Sequence, residues 1–115
     1  DMLFPFSSAR KRMSTLIMAG SGSGRRLLTK GAAEAMLERC AFVLDPSGKA
    51  VKMQMAKRTE ITDLIAEWAN MSYRVIALAH RDIPASLVPA PHCSDDEVAR
   101  ELVLDALVAI QDPLR

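Results

Sequence analysis

Long apolar runs are lacking in this 115-residue chain, and so is an excess of charge of either sign. Its apolar runs end after five residues, as at 75–79, whereas a membrane span needs about 18. The 15 Lys and Arg residues nearly balance the 14 Asp and Glu residues, and 50% of the chain is apolar. This composition excludes a disordered chain and argues against a nucleic-acid binder held by bulk charge. The composition and length fit one small domain. Because no charged-then-apolar leader opens the chain, we expect no signal peptide.

Residues with the spacing of a catalytic or metal site are also lacking. Cys40 and Cys93 lie far apart, which favours two free thiols over a disulfide or a metal site. His80 and His92 have no further ligands at metal spacing, and no serine has a patterned base partner. The glycine-rich run 20–24 lacks the Gly-Lys-Ser/Thr end of a phosphate-binding P-loop and is typical of a hairpin tip. We therefore predict no catalytic residue and no metal site in this chain.

Basic residues are concentrated in the first 30 positions, where six Lys and Arg residues accompany Asp1 alone and the local charge is +5. The remainder carries a local charge of −4. A basic segment of this kind is typical of a surface that meets an anionic ligand or partner. It is also typical of a sheet edge that solvated charges protect, and charge alone favours this second interpretation.

The first half of the chain predicts a hairpin, a helix and a second hairpin. Residues 12–19 and 25–30 have the composition of strands on either side of the glycine-rich run, and Gly31 is expected to break the second strand. Residues 32–40 are rich in helix formers with apolar positions on one face. The turn 45–48 separates the apolar run 42–44 from a return segment at 49–53.

The second half predicts one helix and a buried strand. Residues 54–71 have the clearest helical periodicity in the chain, with Trp68 as a core anchor. The apolar run 75–79 within residues 74–82 predicts a strand that is buried on both faces. Three prolines make 83–93 a loop, and 94–97 match a capping box. Residues 101–111 fit a helix or a strand equally, and this order of elements predicts an α+β fold with helices on a largely antiparallel sheet.

One group of residues favours ligand binding. Phe6 precedes the basic run 10–12, and an aromatic beside cations can stack a base and attract phosphate. Lys30 stands at a predicted strand end, followed by Gly31, which has no side chain to obstruct a flat ligand. Arg74 begins the predicted buried strand. Spacing alone leaves the alternative open that Phe6 is a core residue and Lys30 a solvated one.

Three segments, in this order, resemble the nucleotide-binding domain of P-type ATPases. They are FSSARKRMS at 6–14, KGAAE at 30–34 with Glu38-Arg39-Cys40 after it, and RVIALAHRD at 74–82. The final Asp112-Pro113-Leu114-Arg115 resembles the hinge to the phosphorylation domain. FPFSSARKRMS at 4–14 is most similar to the calcium-transporting, plasma-membrane, calmodulin-regulated branch. The resemblance implies that 1–111 are the C-terminal part of the nucleotide-binding domain and that 112–115 begin the hinge, with Asp112, Pro113 and Arg115 as hinge residues.

The resemblance also implies roles for single residues in binding ATP. Phe6 would stack on adenine, Lys11 would lie near the phosphates and Met13 would line the pocket. Lys30 would contact the nucleotide deep in the cleft, Gly31 would leave room for it, and Arg74 would contact its sugar–phosphate part. Ser8 belongs to the same expected set, but it stands where family members carry Arg, so one phosphate contact is missing or comes from Arg10. Asp105 departs from the apolar pattern of related chains and leaves the register of the last strand open.

The implied function is the ATP-binding portion of a cytosolic domain in a calcium-transporting P-type ATPase. ATP, with Mg²⁺ in the parent enzyme, would be held for attack by an aspartate of the phosphorylation domain. The chain lacks the Asp-Lys-Thr-Gly-Thr phosphorylation motif, so we expect the fragment itself to be inactive. Its expected partners are ATP and the phosphorylation domain, without nucleic acid or membrane contact, and an unpaired sheet edge allows a homodimer. The alternatives are a basic module that binds RNA or an acidic protein, and a structural fragment whose site truncation has destroyed.

Overall fold

The computed structural model describes residues 2–7, 11–18, 24–83 and 99–111, with the backbone alone at 2, 6 and 7. Within these ranges the chain forms seven strands and two helices. Their bounds are β1 Met2–Ser7, β2 Arg12–Met18, β3 Arg25–Ala32, α1 Ala33–Leu37, β4 Cys40–Leu44, β5 Ala50–Lys52, α2 Met55–Asn70, β6 Tyr73–Ile83 and β7 Leu102–Gln111. Neither of the two described helices is long and apolar enough to span a membrane.

All seven strands belong to one sheet in the order β1-β2-β3-β6-β7-β4-β5. Neighbouring strands are antiparallel except β4 and β7, which pair in parallel. The predicted α+β class with a largely antiparallel sheet is therefore confirmed. The segment 102–111, whose sequence fits a helix or a strand equally, is strand β7, because it hydrogen-bonds to β6 on one side and to β4 on the other.

Helices α1 and α2 contact each other and the central strands β3 and β6, and the hydrophobic core lies between these helices and the sheet. Leu27, Met36 and Leu102 are the largest apolar side chains that are completely buried there. Helix α2 contributes Ile61 and Ile65, and Trp68 packs against the same core while partly exposed. Trp68 is thus a core residue, as predicted, and the packing of apolar side chains at helical spacing is what fixes α2 on the sheet.

Strand β6 is buried on one face only, and the predicted burial on both faces is wrong. Val75, Ala77 and Ala79 point into the core, whereas Ile76 is half-buried and Leu78 is exposed. The run of apolar residues conceals this alternation, since residues on the two faces of β6 are equally apolar. We refer to the face of the sheet opposite α1 and α2 as the open face.

Two predicted bounds around Gly31 are also wrong. Gly31 does not break β3, because it pairs with Arg12 of β2 and with Ala77 of β6 and the strand continues to Ala32. The helix predicted for 32–40 ends at Leu37, and Cys40 begins β4. The parallel pairing of β4 with β7 overrides the helix propensity of these residues.

The turn at 45–48 and the strands on both sides of it are confirmed. The Asp45 carboxylate accepts hydrogen bonds from the backbone N–H groups of Ser47 and Lys49, both at 2.9 Å. Gly48 has a φ of 86°, a conformation that favours glycine. Further along, Ile83 belongs to β6 rather than to the predicted loop. The rest of that loop, the capping box at 94–97 and the hinge at 112–115 lie outside the described residues.

Candidate functional site

A cleft of about 740 Å³ lies at one end of strands β2, β3 and β6. Five of the seven residues predicted to bind nucleotide line this cleft: Lys11, Met13, Lys30, Gly31 and Arg74. Its wall is otherwise mainly apolar and includes Ile76 and Ile110. The structure thus brings together residues that are up to 63 positions apart in the sequence. Their positions along the chain do not by themselves predict that they meet.

Strand register explains why these residues meet. Met13 of β2 lies opposite Lys30 of β3, which in turn lies opposite Leu78 of β6. Because residues directly opposite each other in antiparallel strands share a face, Met13 and Lys30 both lie on the open face. Arg74 is four residues before Leu78, so it lies on that face too, beside Ile110 of β7.

Two cations of the cleft, Lys11 and Lys30, are available to a ligand. Lys11 and Lys30 are exposed, and neither side chain has a hydrogen bond or an ion pair within the described ranges. Arg74 is exposed as well, and it already has an interaction within the chain. Among the described residues, Glu34 is the single carboxylate that lines the cleft. A surplus of positive charge next to an apolar wall suits a ligand with an anionic end and an apolar end.

Gly31 has a steric role in forming this cleft. A β-carbon at position 31 would lie 2.6 Å from the Cβ of Arg12 and still closer to the carbonyl oxygen of Lys11. That carbonyl accepts a hydrogen bond from the backbone N–H of Ala32 at 3.0 Å, which fixes it beside the glycine. Gly31 therefore permits the close approach of β2 to β3 that positions Lys11 at the cleft.

Phe6 and Ser8 are the two predicted binding residues that do not line the cleft as described. The backbone of Phe6 belongs to β1, between Phe4, which pairs with Ser14, and Ser7, which pairs with Arg12. An irregularity in the pairing occurs within this stretch. The side chain of Phe6 and the whole of Ser8 lie outside the described residues, so their predicted roles stay predictions.

Comparison with known proteins identifies the family. The profile of the family "P-type ATPase, cytoplasmic domain N" matches residues 2–115. The chain belongs to the P-type ATPases, as a part of their cytoplasmic N domain. Plasma membrane calcium-transporting ATPase 4 of Bos taurus is 35% identical over 114 residues, which are 98% of this chain and 9% of that protein. Calcium-transporting ATPase 4, plasma membrane-type, of Arabidopsis thaliana is 34% identical over 111 residues, which are 96% of this chain and 10% of that protein.

This N-domain chain therefore spans about a tenth of the length of these relatives. Plasma membrane calcium-transporting ATPase 1 of Mus musculus, at 34% identity over 98% of the chain, agrees with them. The resemblance to P-type ATPases, and to their calcium-transporting branch, is thus confirmed by relatives of that name from animals and plants.

The sequence did not point to three further residues that line the cleft of the N domain: Glu34, Tyr73 and Ile110. Glu34 closes the KGAAE segment and Tyr73 directly precedes Arg74, so proximity to the motifs was a usable signal for both. Ile110 lies beside Arg74 only through the β6–β7 pairing, and no local pattern indicates that contact.

Two polar pairs lie across strands on the open face of the N domain. Arg26 donates two hydrogen bonds to Asp82, at 2.7 and 3.1 Å, and these bonds lower the pKa of the Asp82 carboxyl. His80 Nδ1 lies 2.8 Å from the Asp105 carboxylate. The pairing of β6 with β7 is irregular where Asp105 lies. The unusual Asp105 is thus explained by its contact with His80.

Cys40, the first residue of β4, is a buried free thiol, and the prediction of a free cysteine is confirmed at this position. Burial raises the pKa of the Cys40 thiol to about 12. Arg58 of α2 donates hydrogen bonds to the carbonyl oxygens of Leu37 at 2.8 Å and of Cys40 at 2.6 Å. These bonds tie α2 to the end of α1 and to the first residue of β4.

Proposed function

We propose that this chain binds ATP as the nucleotide-binding portion of a calcium-transporting P-type ATPase. In the parent enzyme it would hold ATP so that an aspartate of the phosphorylation domain can attack the terminal phosphate. The observation that carries this proposal is the convergence of Lys11, Lys30 and Arg74 around one cleft with an apolar wall. Positioning and charge neutralisation are the main contributions that protein groups make to phosphoryl transfer.

Each residue in the cleft has a chemical role in this proposal. Lys11 and Arg74 form charge-assisted hydrogen bonds with the phosphates and the sugar–phosphate part of ATP. Met13 packs against the nucleotide, and Lys30 contacts it further inside the cleft. Gly31 keeps the backbone accessible beside Lys30. The exposure of all three cations supports these roles, because a ligand can reach their charged groups.

Phe6 and Ser8, whose side chains lie outside the described residues, complete the proposed site. Phe6 stacks on adenine, and a base–aromatic stack contributes about 1–3 kcal/mol. Ser8 belongs to the proposed phosphate end of the site, where one phosphate contact is missing or comes from Arg10. The pairing of β1 with β2 supports the role of Phe6, since it brings the backbone of Phe6 beside the strand that carries Met13.

The remaining parts of the activity belong to the parent enzyme in this proposal. Mg²⁺ arrives with ATP and neutralises part of its phosphate charge. The hinge residues Asp112, Pro113 and Arg115 lead to the phosphorylation domain of the same chain, on the cytosolic side of the membrane. Hydrolysis and calcium transport need that domain and the membrane region, so the isolated chain is expected to bind ATP without hydrolysing it.

An amide-shift titration with ATP on the 115-residue chain tests the proposal. We expect the largest shifts at Phe6, Lys30, Gly31 and Arg74. Lys30→Ala should weaken ATP binding, whereas Lys52→Ala, an equally exposed lysine on edge strand β5, should not. Phe6→Ala should remove the preference for ATP over inorganic tripolyphosphate while the fold stays intact.

Salt dependence separates this proposal from a basic module that binds RNA or an acidic protein. Binding to a polyanion by several cations weakens steeply as salt is raised, whereas a pocket that also packs a base loses less. The nucleotide site would be contradicted if the chain bound RNA more tightly than ATP. It would also be contradicted if ATP shifted amides throughout the basic segment 1–30 but none at Arg74.

A further inference from the structure

Four apolar side chains form a contiguous patch on the open face of the sheet. They are Ile76 and Leu78 of β6 and Val108 and Ile110 of β7. Ile76 lies directly opposite Val108, and the residues two positions away along each strand lie on the same face. We refer to these four residues as the β6–β7 patch.

The β6–β7 patch is accessible to a ligand. Leu78, Val108 and Ile110 are 37%, 41% and 44% exposed, and Ile76 is half-buried. Helices α1 and α2 do not cover it, because they pack on the other face of the sheet. Grouped apolar side chains that stay in contact with water are typical of a binding surface, and an apolar ligand that lies over them is stabilised by leaving water.

Cations border this patch on the side of β2 and β3. Lys30 lies directly opposite Leu78, and Lys11 lines the same cleft as Lys30. Neither lysine has a hydrogen bond or an ion pair within the described ranges. Arg74 adds a third positive charge at the cleft, and Glu34 is the one described carboxylate there. The apolar patch therefore meets a border of net positive charge, which is complementary to an anion.

Polar groups further along the open face argue against a membrane surface as the ligand. Asp82 lies there beside Arg26, and Asp105 lies there beside His80. Their carboxylates would repel the anionic lipids that bind basic protein surfaces. A single amphiphile can place its anionic group at the lysines and keep clear of both carboxylates.

We propose that the β6–β7 patch binds the hydrocarbon chain of a long-chain fatty acid whose carboxylate pairs with Lys30 and Lys11. The ligand has the same division as the surface, with one negative charge and an otherwise apolar body. The inference needs no nucleotide and goes beyond the proposed function. Because the fatty acid and ATP would both use Lys30, they should compete, and the fatty acid would then regulate nucleotide binding.

Amide-shift titration of the 115-residue chain with laurate, below the concentration at which laurate forms micelles, tests the inference. We expect the shifts at Lys30, Leu78, Val108 and Ile110. Decanoate is two methylenes shorter and should bind about fourfold more weakly, since one side of each methylene leaves water on the patch. Dodecyltrimethylammonium has the same chain length and the opposite charge, so it should bind more weakly than laurate by about tenfold or more.

Val108→Thr keeps the shape and the strand propensity of the side chain but adds a hydroxyl to the patch. It should weaken laurate binding about threefold, while circular dichroism shows the fold intact. Val51→Thr is the matched control, because Val51 is 36% exposed on edge strand β5 and lies outside the patch. Lys30→Ala should weaken laurate binding about tenfold, whereas Lys52→Ala should not.

Three results would overturn the inference. They are equal binding of laurate and dodecyltrimethylammonium, equal weakening by Val108→Thr and Val51→Thr, and tighter binding of phosphatidylserine vesicles than of laurate. If Val108→Thr does not fold, the chain-length comparison remains decisive, and equal affinity for decanoate and laurate would exclude the patch.

Competition with ATP tests the shared use of Lys30. If the chain binds ATP but ATP does not displace laurate, the carboxylate does not lie at Lys30 and the inference is wrong. Failure of the chain to bind ATP would overturn the proposed function alone, because laurate binding is measured without ATP.

Discussion

Replacement of Gly31 by alanine separates a steric role of this residue from a role in leaving room for ATP. The added Cβ would lie 2.6 Å from the Cβ of Arg12 and closer still to the carbonyl oxygen of Lys11. That carbonyl cannot move without weakening its hydrogen bond from Ala32. Overpacking of this kind costs about 1–3 kcal/mol, and contact with backbone rather than with a flexible side chain places Gly31→Ala at the upper end. For a domain of this size we expect the melting temperature to fall by about 8–12 °C.

Gly48 provides the control, because this position needs glycine for its backbone conformation and not for lack of space. Nothing lies within 4 Å of a β-carbon at position 48, but its φ is +86°. Asparagine tolerates such a conformation better than alanine, so Gly48→Asn should be more stable than Gly48→Ala. At position 31 the order should be reversed, because the larger side chain clashes more: Gly31→Asn should be less stable than Gly31→Ala. Thermal and urea unfolding followed by circular dichroism measure all four variants. A Gly31→Ala variant within about 0.5 kcal/mol of the original chain that has lost only ATP binding would refute the steric argument.

Three further predictions concern the stability and reactivity of the core and the open face. Arg58→Ala should lower the free energy of unfolding by about 2 kcal/mol, because two main-chain carbonyl oxygens lose a charged donor; an unchanged urea midpoint would contradict this. The Cys40 thiol should resist alkylation at mildly alkaline pH until urea unfolds the chain, since burial raises its pKa to about 12; mass spectrometry with and without urea measures this, and equal labelling in both would contradict it. The hydrogen bonds from Arg26 lower the pKa of Asp82 below its ordinary value of 3.8. The pair therefore stabilises the fold above pH 3.8, and this stabilisation is lost as the pH falls through the lowered pKa. Asp82→Asn should accordingly cost at most about 1 kcal/mol near neutral pH, as expected for an exposed pair, and nothing in strong acid; a cost that persists in acid would show another role.

Local sequence patterns were sufficient to locate three of the elements along the chain. Strands β2 and β6 and helix α2 lie within one or two residues of their predicted bounds. In α2, apolar side chains recur at helical spacing and face the core, whereas β2 buries Arg12 and Ser14 beside Leu16 on its core face. The turn at 45–48 was predictable for a similar reason, because Asp, Pro and Gly each have a definite role in such turns.

Elements that depend on distant partners were not predictable in this way. The residues up to Cys40 favour a helix by propensity, but the backbone N–H of Leu102 donates to the carbonyl of Arg39 and draws this segment into the sheet. The same long-range pairing decides that 102–111 are a strand. In β6, Leu78 and Ala79 look alike in sequence, and only the position of the helices determines which of them is buried.

In the candidate site, too, the identity of the residues could be predicted from the sequence but their arrangement could not. The family resemblance pointed to Lys11, Met13, Lys30, Gly31 and Arg74, and the strand register brings these five residues to one cleft. Spacing along the chain did not indicate their proximity, because the register of β2 with β3 and of β3 with β6 creates it. The steric reason for the glycine was likewise invisible in the sequence, since it depends on the path of the backbone at Lys11.

The open face has a practical consequence for following the unfolding of this chain. Leu28, Leu78, Val108 and Ile110 are each between 37% and 44% exposed on strands of the central sheet. Environment-sensitive dyes such as anilinonaphthalene sulfonate fluoresce when they adsorb to apolar surface of this kind. The native chain should therefore give a bright signal before heating begins. A dye-based melting curve would start from a raised baseline, so far-ultraviolet dichroism is the sounder probe for the variants described above.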